Sequence, residues 1–337
     1  VRGEAMARAR AGDGEAFREL TEPFRRELQV HCYRMLGSLQ DAEDAVQDSL
    51  LSAWQGFARF EERASLRTWL YRIATNRCLN MRRSAARRRA AAWDVPGVEP
   101  PEPTRLGDMP WLEPCPDVLV DAAVAAPLGP EARYEQRESI SLAFVTALQH
   151  LPPRQLGVLV LRDVLGFPAA EVAEMLGVSV EAVKGALKRA RSALRDRPTA
   201  EPGPGAGAEN VIAAAFVRAW ESADVPALVA LLTDDVFLSM PPMPFEYQGR
   251  DVVACFCAGI FDAGRRFDLA PTRANGQPAF GAYLRSPTGV SEGAGLYVLT
   301  LGAGRIRAMS RFEKSVLPWF GLPGQLPGRS EATTGAT

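Results

Sequence analysis

Proline constrains this chain more than any other residue. Between Asp94 and Glu131 stand Pro96, Pro100, Pro101, Pro103, Pro110, Pro114, Pro116, Pro127 and Pro130. Each removes a backbone donor and clashes with the preceding helical turn, so no long helix crosses this stretch, and it reads as an extended linker. A second break, PTAEPGPGAGA at 198–208, mixes proline with glycine and reads as a flexible linker. The breaks divide 337 residues into folded blocks at 5–90, 132–197 and 209–320, joined by linkers at 91–131 and 198–208 and followed by a tail at 321–337. At 47% hydrophobic and 23% charged, the chain has material for a core in each block.

The formal net charge of −1 conceals strong segregation. Arg59, Arg63, Arg67, Arg72, Arg77, Arg82, Arg83, Arg87, Arg88 and Arg89 are opposed only by Glu61 and Glu62, which makes 59–89 a polyanion-binding candidate. The sign then reverses, with Asp94, Glu99, Glu102, Asp108, Glu113, Asp117, Asp121 and Glu131 against Arg105. A second basic patch follows at Lys184, Lys188, Arg189, Arg191, Arg195 and Arg197. Five irregularly spaced cysteines (Cys32, Cys78, Cys115, Cys255, Cys257) do not form a disulfide framework and read as reduced thiols, mostly core. The Cys255/Cys257 pair reads as small apolar filler rather than metal ligands. With only His31 and His150 in the chain, a histidine-based metal or nucleophile site is not expected, and neither metal nor cofactor is assigned. No apolar run has the length of a membrane span and the N-terminus lacks a signal-peptide core, so the expected location is cytoplasmic.

The first block is helical by periodicity. In QDAEDAVQDSLLSAWQGF, residues 40–57, Val46, Leu50, Ala53, Trp54 and Phe57 recur at three- and four-residue steps, while Asp41, Asp44 and Asp48 fall on the opposite side. The acidic side either complements the helix N-terminus and faces solvent, or meets a basic partner. SLRTWLYRIATNRCLNMRRSAARRR then places Leu66, Trp69, Leu70, Ile73 and Ala74 on a core stripe, and Arg72, Asn76, Asn80, Arg83 and Arg87 along another face. Arginines neutralise phosphates and asparagines read base edges, so that face has the chemistry of a nucleic-acid contact. The short loop ARFEERA between the helices can hold an unstacked base. Phe60 and Tyr71 are the stacking candidates, with Trp54 and Trp69 taken as structural.

The second block carries LPPRQLGVLVLRDVLGFPAAEVAEMLGVSVEAVKGALKRARSALR. An apolar helix over 156–165, a Gly-Phe-Pro break and a helix with Ala170, Val172, Ala173 and Leu176 lead to Gly177-Val178-Ser179, a tight turn with Ser179 as N-cap. This is a helix-turn-helix pattern: Ala173 is small at a close crossing, Gly177 suits positive φ, and Val183 and Leu187 anchor the last helix. Val180, Glu181, Lys184, Gly185, Lys188 and Arg189 point outward and can lie in a major groove.

DAEDAVQDSLLSAW, SLRTWLYRIATNRCLNMRR and the helix-turn-helix segment, in this order, resemble regions two and four of sigma-70 factors of the extracytoplasmic-function type. The resemblance covers about the first 197 residues. It implies that the acidic helix docks on the β′ subunit of core RNA polymerase through Asp41, Glu43, Asp44, Gln47 and Asp48. It also implies that Arg72, Asn76, Arg77, Asn80 and Arg83 engage the minus-ten promoter element, with the 57–65 loop as pocket for a flipped base, and that Glu181, Lys184, Lys188 and Arg189 read the minus-thirty-five element. The linker would thread the polymerase between its two DNA-binding parts, Glu99, Glu102, Asp108 and Glu113 occupying sites later taken by nucleic acid. The implied partners are core RNA polymerase, through β′ and β, and promoter DNA; an anti-sigma factor is left open.

The third block mixes helices with alternating segments such as PAFGAYLRSP and AGLYVLTLGAGRIRAMSRF, set off by glycine-rich turns like an antiparallel sheet. LLTDDVFLSMPP and YQGRDVV resemble SnoaL-like domains, and PWLEPCPDVLVD in the linker is similar to that of sigma factors carrying such an extension. The fold class expected is therefore multidomain: two all-α sigma domains, a helical bundle and a helix-turn-helix, followed by an α+β SnoaL-like cone-shaped barrel. Residues 209–337 contain no histidine, and Asp234 and Asp235 look like turn residues, so no enzymatic activity is expected. Trp220, Phe237, Met240, Phe245, Phe256 and Tyr283 either line a pocket for a small apolar ligand or are ordinary core, and the domain either binds such a ligand or packs against the sigma domains, modulating activity in cis. The alternative is a helix-turn-helix DNA-binding regulator fused to a small-ligand-binding or cyclase-like domain, which leaves the acidic DAEDAVQD face without a role.

Overall fold

Caps set the first helices. Asp13 accepts from the N–H groups of Glu15 and Ala16 at 3.0 and 3.1 Å and opens a helix over Gly14–Leu36, which Gly37 closes at φ 73 by donating to Tyr33 O. Ser38 then accepts from Asp41 N and starts the next helix, Leu39–Gly56. With Arg2–Arg10 before them and Leu66–Ala85 after, these are α1 to α4 in chain order. The structure is a computed structural model and describes residues 2–85, 93, 98–106, 112–121, 139–195, 206–287 and 289–327. Arg87, Arg88, Arg89, Asp94, Asp108, Glu131 and Arg197, most of the 198–208 linker and the tail from 328 lie outside the described residues.

The chain divides into two units: residues 1–88 with 117–199, and residues 89–116 with 200–337. In the first, α2, α3 and α4 pack around Leu28, Tyr33, Met35, Leu39, Ala45, Val46, Leu70 and Ala74, all buried. A short helix α5, Asp117–Asp121, packs on α2. The second helical block contributes α6 (Leu142–Gln149), α7 (Pro153–Leu159), α8 (Ala169–Leu176) and α9 (Val180–Arg195). The apolar helix expected over 156–165 changes at Val160–Val164 into a single π turn. Gly177 takes φ 62, Ser179 accepts from Ala182 N at 3.1 Å, and Ala173 and Val183 are buried, which completes a helix-turn-helix.

The two helical blocks are packed together within this unit. Gly157 of α7 lets the helices approach closely: a Cβ there would sit 3.7–3.8 Å from Leu79, Thr75 and Met35. Arg82 of α4 donates to Met35 O (3.0 Å), Gln149 O (2.9 Å) and Leu151 O (3.4 Å) and to Gln149 Oε1. Gln149 Nε2 in turn donates to Arg34 O at 3.2 Å.

The second unit has a sheet under three helices, α10 (Ala206–Glu221), α11 (Val225–Ala230) and α12 (Arg250–Asp262). Its strands are β1 (Arg105–Leu106), β2 (Leu232–Met240), β3 (Met243–Gln248), β4 (Phe267–Ala274), β5 (Gln277–Arg285), β6 (Val290–Gly302), β7 (Arg305–Phe312) and β8 (Gln325–Pro327). The order is β1-β3-β2-β7-β6-β5-β4 with β8 on β6; β2 and β7 are parallel and all other pairs antiparallel. Strand alternation sends Val236, Leu238 and Met240 of β2 and Phe280 and Ala282 of β5 into one apolar core with Phe216, Trp220, Phe256 and Phe261 from the helices.

The β1 strand is a departure from the expected extended linker. Residues 104–106 lie on the open edge of β3, Arg105 opposite Glu246 and Leu106 opposite Phe245, while Cys115 N donates to Asn275 Oδ1 and Asn275 N to Cys115 O, both at 2.8 Å. The physical reason is that β3 presents unpaired backbone groups, which the proline-poor Thr104-Arg105-Leu106 can satisfy.

Candidate functional site

On α3, Ala42, Ala45, Val46, Ser49 and Ala53 are buried, and Asp44, Gln47, Leu51 and Gln55 are exposed on the other side. Asp41, Glu43 and Asp48 are half-buried. Leu51, 55% exposed, is an apolar side chain one turn beyond Gln47 and Asp48 on this side, and the core stripe read from the sequence leaves it out. Asp48 also forms an ion pair with Arg77 of α4, so the acidic and basic faces, expected to be separate, touch at their border.

On α4, Arg72, Arg77, Asn80 and Arg83 are exposed, and Asn80 Oδ1 accepts from Arg83 Nη1 at 3.0 Å. Asn76 is different: its Nδ2 donates to Arg72 O and, at 3.1 Å, to Met175 O at the end of α8. In this arrangement an expected base-reading side chain is held by the helix-turn-helix. Thr68 Oγ1 reaches Glu171 Oε2 at 3.4 Å, and Tyr71 meets Phe167 edge-on with centroids 5.4 Å apart.

The stacking candidates are buried, while Trp54 and Trp69 pack against Phe17, Phe57 and Phe60. Phe60 is buried, 4.7 Å from Trp69 and 5.9 Å from Phe57, and Tyr71 is buried with its hydroxyl donating to Glu27 Oε2 at 3.2 Å. Neither offers a ring to a base; Trp54 and Trp69, taken as structural, are half-buried. Burial, reinforced by the Glu27 carboxylate, raises the Tyr71 pKa. Beside it His31 is wholly buried, Nε2 2.9 Å from Thr75 Oγ1, and burial first, then Arg34 and Arg67, depresses it to about 3.

On α9, Glu181, Lys184, Lys188 and Arg189 are all exposed, opposite buried Val183, Ala186 and Ala190. Lys184 Nζ pairs with Glu181 Oε1 at 2.8 Å. A cavity of ≈ 320 Å³, lined by Phe144, Leu159, Asp163, Arg191, Leu194 and Arg195, lies on the side of α9 formed with α6 and α7.

In the C-terminal unit the six pocket candidates separate by strand phase. Trp220, Met240 and Phe256 belong to the core and Phe245 packs against it. Phe237 and Tyr283 do not: Phe237 carries the Arg105 guanidinium over its ring at 5.7 Å, and Tyr283 donates to Pro323 O at 2.9 Å. Each sits one residue out of register with its core-facing neighbours, Leu238 and Ala282. Asp234 and Asp235 are exposed. Two buried carboxylates went unread in the sequence, Asp268, bonded to Arg285 Nε (3.0 Å) and Ser291 Oγ (2.7 Å), and Glu246, paired with Arg105. Cys257 is core, and burial pushes its thiol up to about 12; Cys255 is exposed rather than filler.

A partly acidic helix face that ends on an exposed leucine, a basic helix beside it and a helix-turn-helix with an outward basic stripe have the chemistry of a DNA-reading protein that docks on a larger partner. Residues 20–88 match Sigma-70 region 2, residues 141–194 Sigma-70, region 4, and residues 213–313 the SnoaL-like domain. The ECF RNA polymerase sigma factor SigG of Mycobacterium tuberculosis is 41% identical over 335 residues, covering 96% of this chain and 88% of that protein. SigJ of the same species is 30% identical over 245 residues, 71% of each chain. The crystal structure of SigJ has the same fold, with a TM-score of 0.60 at 24% identity over 91% of this chain and 99% of that one. The chain belongs to the ECF RNA polymerase sigma factors, alternative subunits that direct transcription initiation, and carries a SnoaL-like domain behind its two sigma-70 regions.

Proposed function

We propose that α3 is the docking face for core RNA polymerase and that α4 and α9 contact the two promoter elements. The observation that carries this reading is the polar, partly acidic exposed side of α3, on which Asp44 and Gln47 are followed one turn further on by the exposed Leu51. An apolar anchor ringed by polar groups is the usual anatomy of a protein interface, and the carboxylates select a basic partner surface. Asp41, Glu43 and Asp48 contribute at its edge. Arg72, Arg77, Asn80 and Arg83 of α4 meet DNA at the minus-ten element, joined by Asn76 once α8 has moved away. Glu181, Lys184, Lys188 and Arg189 read the minus-thirty-five element, and the apolar cavity beside α9 suits a side chain of the β subunit. The protein works without chemistry of its own: it supplies base readout to a polymerase that otherwise holds DNA by charge, and captures unstacked bases.

The C-terminal domain modulates this activity in cis. Support comes from the linker, in which Arg105–Leu106 is a strand of that domain's sheet and Thr104 N donates to Glu246 O, so this part is not a free tether. The expected passage of Glu99 and Glu102 through the polymerase then requires β1 to leave β3. In vitro transcription with bacterial core polymerase on a promoter library tests the whole reading. The full chain yields specific transcripts; Asp44→Lys and Leu51→Ala each weaken core binding about tenfold, near the lower bound for an interface anchor. A chain ending near Arg197 changes promoter use. Absence of both core binding and transcripts would return the chain to a helix-turn-helix regulator.

A further inference from the structure

The indole of Trp93 stands apart from the rest of the linker. Its centroid lies 6.2 Å from Phe245 of β3, at 74° between ring planes, and 6.2 Å from Phe256 of α12, at 89°. Tyr247 continues the group, 4.9 Å from Phe256. Trp93 and Val98 pack against the domain's core while remaining half-buried. The indole N–H donates to Val98 O at 2.6 Å, an acceptor on its own segment, so the recorded contacts tying the ring to the domain are aromatic and apolar. Downstream, the attachment is of another kind: Thr104 N to Glu246 O (2.9 Å), Gln248 N to Thr104 Oγ1 (3.0 Å), Tyr247 Oη to Pro101 O (3.0 Å) and the Arg105–Glu246 ion pair.

From this we infer that Phe245 and Phe256, the latter backed by Tyr247, form a binding site for a planar aromatic ligand of the indole class, occupied in this structure by the chain's own Trp93. The occupant states the chemistry: two edge-to-face ring contacts, the rest apolar, and an N–H bonded to Val98 O of the linker rather than to the site, so that a free ligand leaves its N–H to water. Ring contacts of this kind are individually weak, and a short segment returns its own indole at millimolar effective concentration. The site is therefore exchangeable. A free aromatic competes with Trp93, and because each excludes the other, ligand binding displaces the upstream end of the linker from the sheet edge.

Fluorine NMR with 5-fluoroindole, on the full chain, tests this. Removing the internal competitor tightens apparent affinity by the inverse of the open fraction, so Trp93→Ala binds the probe roughly 5- to 100-fold more tightly than the wild type. Adding Phe245→Ala to Trp93→Ala abolishes the gain, with circular dichroism melting showing that the domain is still folded. In the wild type, saturating 5-fluoroindole speeds hydrogen exchange over 98–106, a readout independent of how the Trp93 variant folds. Equal affinity in wild type and Trp93→Ala, no binding to either, a gain that survives Phe245→Ala, or exchange unchanged at saturation would each overturn the site. None of these outcomes depends on polymerase binding.

Discussion

His31 carries a pH dependence that its position in the fold explains. Burial, then Arg34 and Arg67, lowers its pKa from 6.5 to about 3, so the folded chain keeps it neutral. The unfolded chain takes up that proton first as acidity rises. The stability that goes with a neutral His31 is complete above about pH 6.5 and falls as pH drops toward about 3, by about 1.4 kcal/mol per pH unit. Denaturant unfolding at about pH 7 and about pH 5.5 separates by about 1.4 kcal/mol more in the wild type than in His31→Asn; equal separations would show that His31 titrates normally. The same neighbourhood shows what a sequence conceals at this scale. The sequence offers Tyr71 as a base-stacking ring, yet its hydroxyl and Arg67 share the Glu27 carboxylate on α2. Periodicity reports which side of a helix is apolar, and a partner some forty residues away leaves no local mark.

Among the elements, the packing of α7 and α8 against α4 has the greatest bearing on activity. Gly157→Ala fits, since a Cβ meets only ordinary contacts at 3.7–3.8 Å, whereas Gly157→Leu wedges α7 from α4. Overpacking of this kind costs about 1–3 kcal/mol. Chemical denaturation reads that loss, faster amide exchange in α4 locates it, and the free chain binds promoter DNA more tightly as Asn76 leaves Met175; a stabilised or unchanged Gly157→Leu would mean that the interface yields without strain. The helices themselves were legible. Gly177 and Ser179 announce the turn of the helix-turn-helix, and the basic stripe of α9 follows from residues three and four apart; the Gly37 and Ser38 caps emerge only in the structure. The short strand β1 was not, because two residues between prolines carry no period and their pairing is specified by Glu246 and the bare edge of β3. Tyr283 is fully buried and Phe237 only half-buried, a split the sequence does not announce for a related reason: aromatic content is visible in a sequence, strand phase much less so.

For the molecule as a whole, a net charge of −1 says little about DNA, because the relevant charge is arranged by region. Lys184→Ala and Lys188→Ala each reduce the slope of log affinity against log salt by about 0.9 if their side chains meet phosphate, while Glu181→Ala alters sequence preference and leaves the slope in place. Promoter binding by the assembled holoenzyme over a salt series measures both, and a slope unmoved by either lysine change would take α9 off the backbone. The order of regions along the chain was plain from proline and glycine; the allegiance of the linker to the last domain was not, since it joins parts distant in sequence. That allegiance has a consequence in time. The β3 edge that receives Arg105 is translated about 140 residues after it, which at ~5–20 residues per second is roughly 7–30 s. In the later part of that interval, once residue 194 has been made, both sigma-70 regions have been synthesised while their connector has no sheet to join. A nascent chain thus passes through an unrestrained youth, and synthesis of the final strands acts as the clock that ends it.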